Sequence, residues 1–185
     1  MFIKCNYKIP GTVLNRDDVA EAEIEIRNRM ARGAQLLRQY IPGFEKAFIA
    51  RTSPSLCIRR GRQIICDYDI THEDVINGRH FDDETFIYGF HDSAPHFQIK
   101  DGGTYGIPYR ALCVKGIENL YAAGMMITSD HRAHMSTRNT VSCMGQGQAT
   151  GTAAALCAKL NRGSRDLNYS DLKNELVRNK VNFNG

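Results

Sequence analysis

The residues best equipped for chemistry crowd into positions 119–160. An apolar run, Asn119-Leu120-Tyr121-Ala122-Ala123-Gly124, precedes a polar connection carrying Ser129-Asp130-His131-Arg132 and Ser136-Thr137-Arg138. Gly145-Gln146-Gly147-Gln148-Ala149-Thr150-Gly151 then runs into Thr152-Ala153-Ala154-Ala155-Leu156. The pattern predicts a short strand ending at glycine, a loop, and a helix from Cys143 to Leu160 that opens on small residues. Such an arrangement brings backbone close to a large flat or phosphorylated cofactor. Glycine permits the turn and the near approach, and a helix start offers unpaired N–H groups and a partial positive charge. Gly147, Gly151 and Ala155 recur every four residues, so one face of that helix can lie against a sheet or a cofactor with little side chain between.

Several stretches resemble, in order, the FAD-dependent oxidoreductases related to the heterodisulfide reductase A subunit, within the two-dinucleotide-binding-domain flavoproteins. They are Ile41-Pro42-Gly43-Phe44-Glu45, Ile58-Arg59-Arg60-Gly61-Arg62-Gln63-Ile64, Phe81-Asp82-Asp83, Tyr105-Gly106-Ile107-Pro108-Tyr109-Arg110 and the 119–160 segment itself. The likeness runs from about residue 15 to 176. It implies an α/β fold: a partial, Rossmann-like FAD/NAD(P)-binding C-terminal segment with an α+β substrate-side lobe. It further implies FAD as cofactor, with hydride or electron transfer through the flavin and a small-molecule substrate. On that resemblance Gly124, Gly145, Gln146, Gly147, Gln148, Ala149 and Gly151 are the candidate cofactor-binding residues. The N-terminus of the helix near 145 would then stabilise negative charge on the reduced ring.

Arg138, His131 and Arg110 are the candidate catalytic residues. A guanidinium at Arg138 can hold a carboxylate bidentately beside the ring, or it can tie the loop to backbone carbonyls. His131 can shuttle a proton near neutral pH, or serve as a structural histidine. Arg110 can meet substrate or flavin, or brace two lobes. His131 and His134 form a His-x-x-His pair with no third ligand nearby, so no metal site is expected. The adjacent His91 and Asp92 couple only if their side chains converge.

No Gly-x-Gly-x-x-Gly turn after a strand occurs in these 185 residues, and the glycines at 145, 147 and 151 have a different spacing. The chain is therefore expected to be a C-terminal portion: a fragment, a split-gene product, or a subunit needing a partner with the N-terminal FAD-binding half. Alone it is expected to hold an incomplete FAD site, and one alternative is a chain that is non-catalytic by itself. Iron–sulfur clusters occur in the heterodisulfide reductase type, but the six cysteines show no ligand run.

Composition narrows the setting. A hydrophobic fraction of 42% with 24% charged residues suits a globular chain. The net charge of +4 is spread among acids, which argues against nucleic-acid binding. Met1-Phe2-Ile3-Lys4-Cys5 lacks an apolar signal core and no apolar run reaches spanning length, so a cytoplasmic location without membrane contact is expected.

Around the site, apolar residues at three- and four-residue intervals predict a helix from Asp17 to Tyr40, stopped by Pro42-Gly43. Extended chain is expected from Ser55 to Tyr68, a capped short helix after Thr71, and strands at 84–90 and 97–100. A last helix is expected near 170–180, packing through Leu172, Leu176 and Val177. These elements group into a substrate-side lobe (1–100), a FAD-binding segment (101–163) and a C-terminal packing helix (164–185).

Overall fold

The computed structural model describes residues 3–92 and 96–183. Met1 and Phe2, the start of the stretch searched for a signal core, lie outside the described residues. The chain gathers into two compact units, Met1–Gly61 and Arg62–Gly185. Residue 100, expected to close the first lobe, falls inside the second unit.

The first unit is built on helix α1, Arg16–Tyr40. Asn15 caps it, its side chain accepting the Asp17 N–H at 2.9 Å, and Asp17 and Asp18 place negative charge at the positive end. Glu23–Arg27 and Glu25–Arg29 pair along the wet side, as their spacing predicts. Ala22 and Ile26 supply the buried side. Pro42 holds Ile41 extended, and Gly43 turns the chain at φ +87°.

The second unit carries the remaining elements. Helix α2, His72–Ile76, opens on a capping box between Thr71 and Asp74. Strands β1, Glu84–Tyr88, and β2, Tyr105–Pro108, pair antiparallel with Phe86 opposite Ile107 and a bulge between Glu84 and Phe86. Helices α3, His134–Thr137, α4, Thr140–Leu160, and α5, Tyr169–Arg178, complete it. Helices and strands thus mix along the chain, in keeping with the α/β class. Ile70, Tyr105, Ile107, Leu112 and Ile127 are fully buried at the centre of one apolar cluster, which also takes Phe86 and Ala149. Ala153, Cys157, Leu167, Leu172 and Leu176 form another, so α4 is packed into both.

Four expectations change. Residues 119–124 form no ladder; among the described residues they make one isolated bridge, Tyr121 to Cys113. Left-handed backbone at Asn119 (φ +59°) and Gly124 (φ +91°) turns the chain at both ends of this segment. Residues 97–100 likewise make no strand, and the chain enters a 3₁₀ turn at Lys100–Gly102 with Asp101 at φ +57°. Helix α4 begins at Thr140, three residues before the expected Cys143. Val177, expected to pack, is 54% exposed.

Candidate functional site

The site is assembled where the Gly124 turn, the 129–139 segment and the start of α4 converge. Gly124 needs the backbone conformation it has: at φ +91° a side chain is strained. A Cβ added there would meet nothing within 4 Å, so the turn is open on that side to an approaching flat group. Its N–H is taken from within, donated to Gln146 Oε1 at 2.6 Å. The first turn of α4 faces the same amide: Gln146 Nε2 donates to Ser142 Oγ at 3.2 Å and to the Thr137 carbonyl at 2.8 Å. Asn139 precedes α4 without a side-chain cap hydrogen bond, so that residue satisfies none of the helix-start N–H groups.

The small-residue run of α4 divides by helical phase. Ser142, Gln146, Ala149, Ala153 and Cys157 point inward and are buried. Gly145 is also inward: a Cβ there would lie 2.8 Å from the Phe86 ring, so this glycine exists to let α4 close on β1. Gly147 and Gly151 lie on the other side, exposed, with nothing within 4 Å of an added Cβ. Gln148 is exposed and reaches the Asn179 carbonyl at 3.4 Å. Of the seven candidate cofactor residues, Gly124, Gly147 and Gly151 are therefore open to a ligand. Gly145, Gln146 and Ala149 are committed to the interior, because residues one apart on a helix face directions 100° apart. The helix mouth lies at 140–142, not at 145.

Among the candidate catalytic residues, Arg138 is buried, with 6% of its side chain exposed. Its Nη2 donates to the Asp92 carboxylate, while Nη1 has no hydrogen-bond partner among the described residues. Asp92 is thus committed to Arg138. The neighbouring His91 points elsewhere, with Nε2 at 3.1 Å from the Arg132 carbonyl. Burial pushes the His91 imidazole pKa down; the Arg132 carbonyl opposes this and His72, 6.2 Å away between ring centres, adds to it. His131 sits exposed on the turn before α3. Asp130 fixes that turn, accepting the His72 N–H at 2.5 Å and the Arg132 and Ala133 N–H groups at 2.8 Å each.

Arg110 is engaged at both its head and its face. It pairs with Asp83 and stacks over the Tyr68 ring at 4.8 Å and the Phe81 ring at 5.2 Å. That geometry is a brace within the second unit. Sequence reasoning missed the Arg138–Asp92 pair, whose members stand 46 residues apart, and the hub role of Gln146. A glutamine in the small-residue run was the signal for the latter, shared with Gln148 and so not distinguishing between them. Among the described residues no group of three or more His, Cys, Asp or Glu side chains is placed to hold a metal ion, and no helix is long and apolar enough to cross a membrane.

Residues 2–176 match the family model described as FAD dependent oxidoreductase. No curated protein and no solved structure matches the chain.

Proposed function

The chain belongs to the FAD-dependent oxidoreductase family, and from that premise we propose that it forms the C-terminal side of a flavin site shared with another polypeptide. We place it in the heterodisulfide reductase A-like branch on the Tyr105-Gly106-Ile107-Pro108-Tyr109-Arg110 and 119–160 blocks.

One observation carries the shared site: the outward face of α4, through Gly147, Gly151, Ala154 and Ala158, is exposed yet bears neither charge nor bulk. Helix faces of that composition are normally covered. The residues fit one edge of a flavin, since the Gly124 turn is open and the amide that holds it also bonds the Ser142 hydroxyl at the start of α4. No Gly-x-Gly-x-x-Gly turn is present to grip the phosphates.

In this arrangement the α4 start donates N–H groups and its dipole toward an electron-rich ring edge. Gly124 lets the backbone lie close to the group. Arg138, buried and paired with Asp92, contributes positive charge to the site from within the fold. FAD, when bound, supplies the hydride or electron transfer itself. The free thiols at all six cysteines suit a reducing, cytoplasmic setting.

The test is colour. FAD titrated into the purified chain should give little flavin absorbance. The same titration with the polypeptide encoded by the adjacent upstream reading frame should give a yellow complex. Tight FAD uptake by the chain alone would overturn the shared site, and a colourless complex would overturn the flavin assignment.

A further inference from the structure

We propose that Gln146 is the positioning residue of this site: its side-chain amide sets the gap between the Gly124 turn and the first turn of α4. The inference rests on the flavin reading above and assigns Gln146 a role other than cofactor contact.

Gln146 is fully buried, so its side chain is out of a ligand's reach. A primary amide offers one carbonyl and two N–H groups, and both ends are in use. Oε1 accepts the Gly124 N–H at 2.6 Å, and Nε2 donates to the Thr137 carbonyl at 2.8 Å and to Ser142 Oγ at 3.2 Å. One planar group therefore touches three backbone segments: the turn, the end of α3 and the start of α4. The open side of Gly124 has no neighbour within 4 Å of an added Cβ, so the turn is held from the inner side by this amide. The network continues inward. Thr137 Oγ1 is 3.2 Å from Ser129 Oγ, and the Ser129 carbonyl accepts from Gln63 Nε2 at 3.1 Å. All three partners of the amide are uncharged, and buried, fully used polar groups of this kind select one geometry over its neighbours. Removing the amide strands the Gly124 N–H and leaves the Thr137 carbonyl with the weak Cys143 thiol donor at 3.9 Å.

Gln146→Leu removes every bond at similar volume. Gln146→Glu keeps the acceptor for Gly124 but loses the donors until the carboxyl is protonated, when its O–H can again serve Thr137. In the assembly of chain and upstream polypeptide, Gln146→Leu should weaken FAD affinity about tenfold or more and speed exchange of the Gly124 amide. Gln146→Glu should match Gln146→Leu at high pH. Relative to wild type at the same pH, it should then recover flavin affinity as falling pH protonates the buried carboxyl.

Circular dichroism reports whether each variant is folded, and where Gln146→Leu is not, the Gln146→Glu pH series decides. Unchanged flavin affinity and spectrum in a folded Gln146→Leu variant, or no pH-dependent recovery in Gln146→Glu, would overturn the proposal. A wild-type assembly that takes no flavin sinks the flavin reading instead. Gly124 amide exchange in the variants then still decides whether the amide holds the turn.

Discussion

The two long helices answer the same problem in opposite ways. Helix α1 carries ten charged side chains in its 25 residues, whereas α4 carries one, Lys159, in 21. Both leave much of their surface exposed. On α1 that surface is laced with Glu–Arg pairs and suits water. On α4 it consists of Val141 and Met144, 66% and 69% exposed, followed by Gly147, Gly151, Ala154 and Ala158. The contrast teaches that exposure has different meanings in the two places. On α1 the exposed apolar side chains, Ile24, Leu36 and Tyr40, stand among paired charges, while α4 carries no charge before Lys159.

The largest expected effect tests the buried side of α4. Gly145→Val should destabilise the second unit by about 2–3 kcal/mol, since the new side chain collides with Phe86. Urea melts would show it, and pairing the change with Phe86→Leu should restore part of the loss. An unchanged midpoint would mean that α4 does not close on β1 as described.

Gly151→Leu tests the open side and should do the reverse. Folding stability should hold or rise by up to about 1 kcal/mol, because leucine is the better helix former. Flavin uptake with the upstream polypeptide should nevertheless fall about tenfold or more, read by absorbance. A variant as proficient as wild type would leave the open face without a covering partner. On α1, Asn15→Ala should cost about 1 kcal/mol through loss of the cap, with no effect on flavin.

The smallest effect is a pH dependence in the second unit. His91 has a folded pKa below its unfolded value of about 6.5. Its contribution is therefore complete above that value and is lost as pH falls toward the folded pKa, where the unfolded state binds the extra proton. His91→Phe should flatten the acid side of the melting profile. A profile identical to wild type would show that His91 titrates as it does in the unfolded chain.

Much of the local structure was legible in the residues. Apolar periodicity from Asp17 and the Pro42-Gly43 stop place the ends of α1 to within a residue, and Thr71 with Asp74 announces the capping box of α2. The start of α4 was less legible, because β-branched Thr140 and Val141 argue weakly for helix. The segment before Gly124 reads as a strand by composition, yet a ladder needs a longer neighbour, and among the described residues it makes one isolated bridge, to Cys113. For Arg110 the residues left open a ligand contact or a brace; Asp83, Tyr68 and Phe81 occupy it.

The residues by themselves determined what depends on near neighbours: helix caps, glycine at the Gly124 turn, the small-residue run of α4 and the family these patterns mark. Tertiary structure alone decided which glycine of that run meets Phe86 and which stays open, and that Arg138 belongs to Asp92 rather than to its own loop. The physical reason is that burial and pairing are properties of surfaces brought together from distant stretches of chain. Spacing along one helix states only that its sides differ, not which of them the rest of the protein covers.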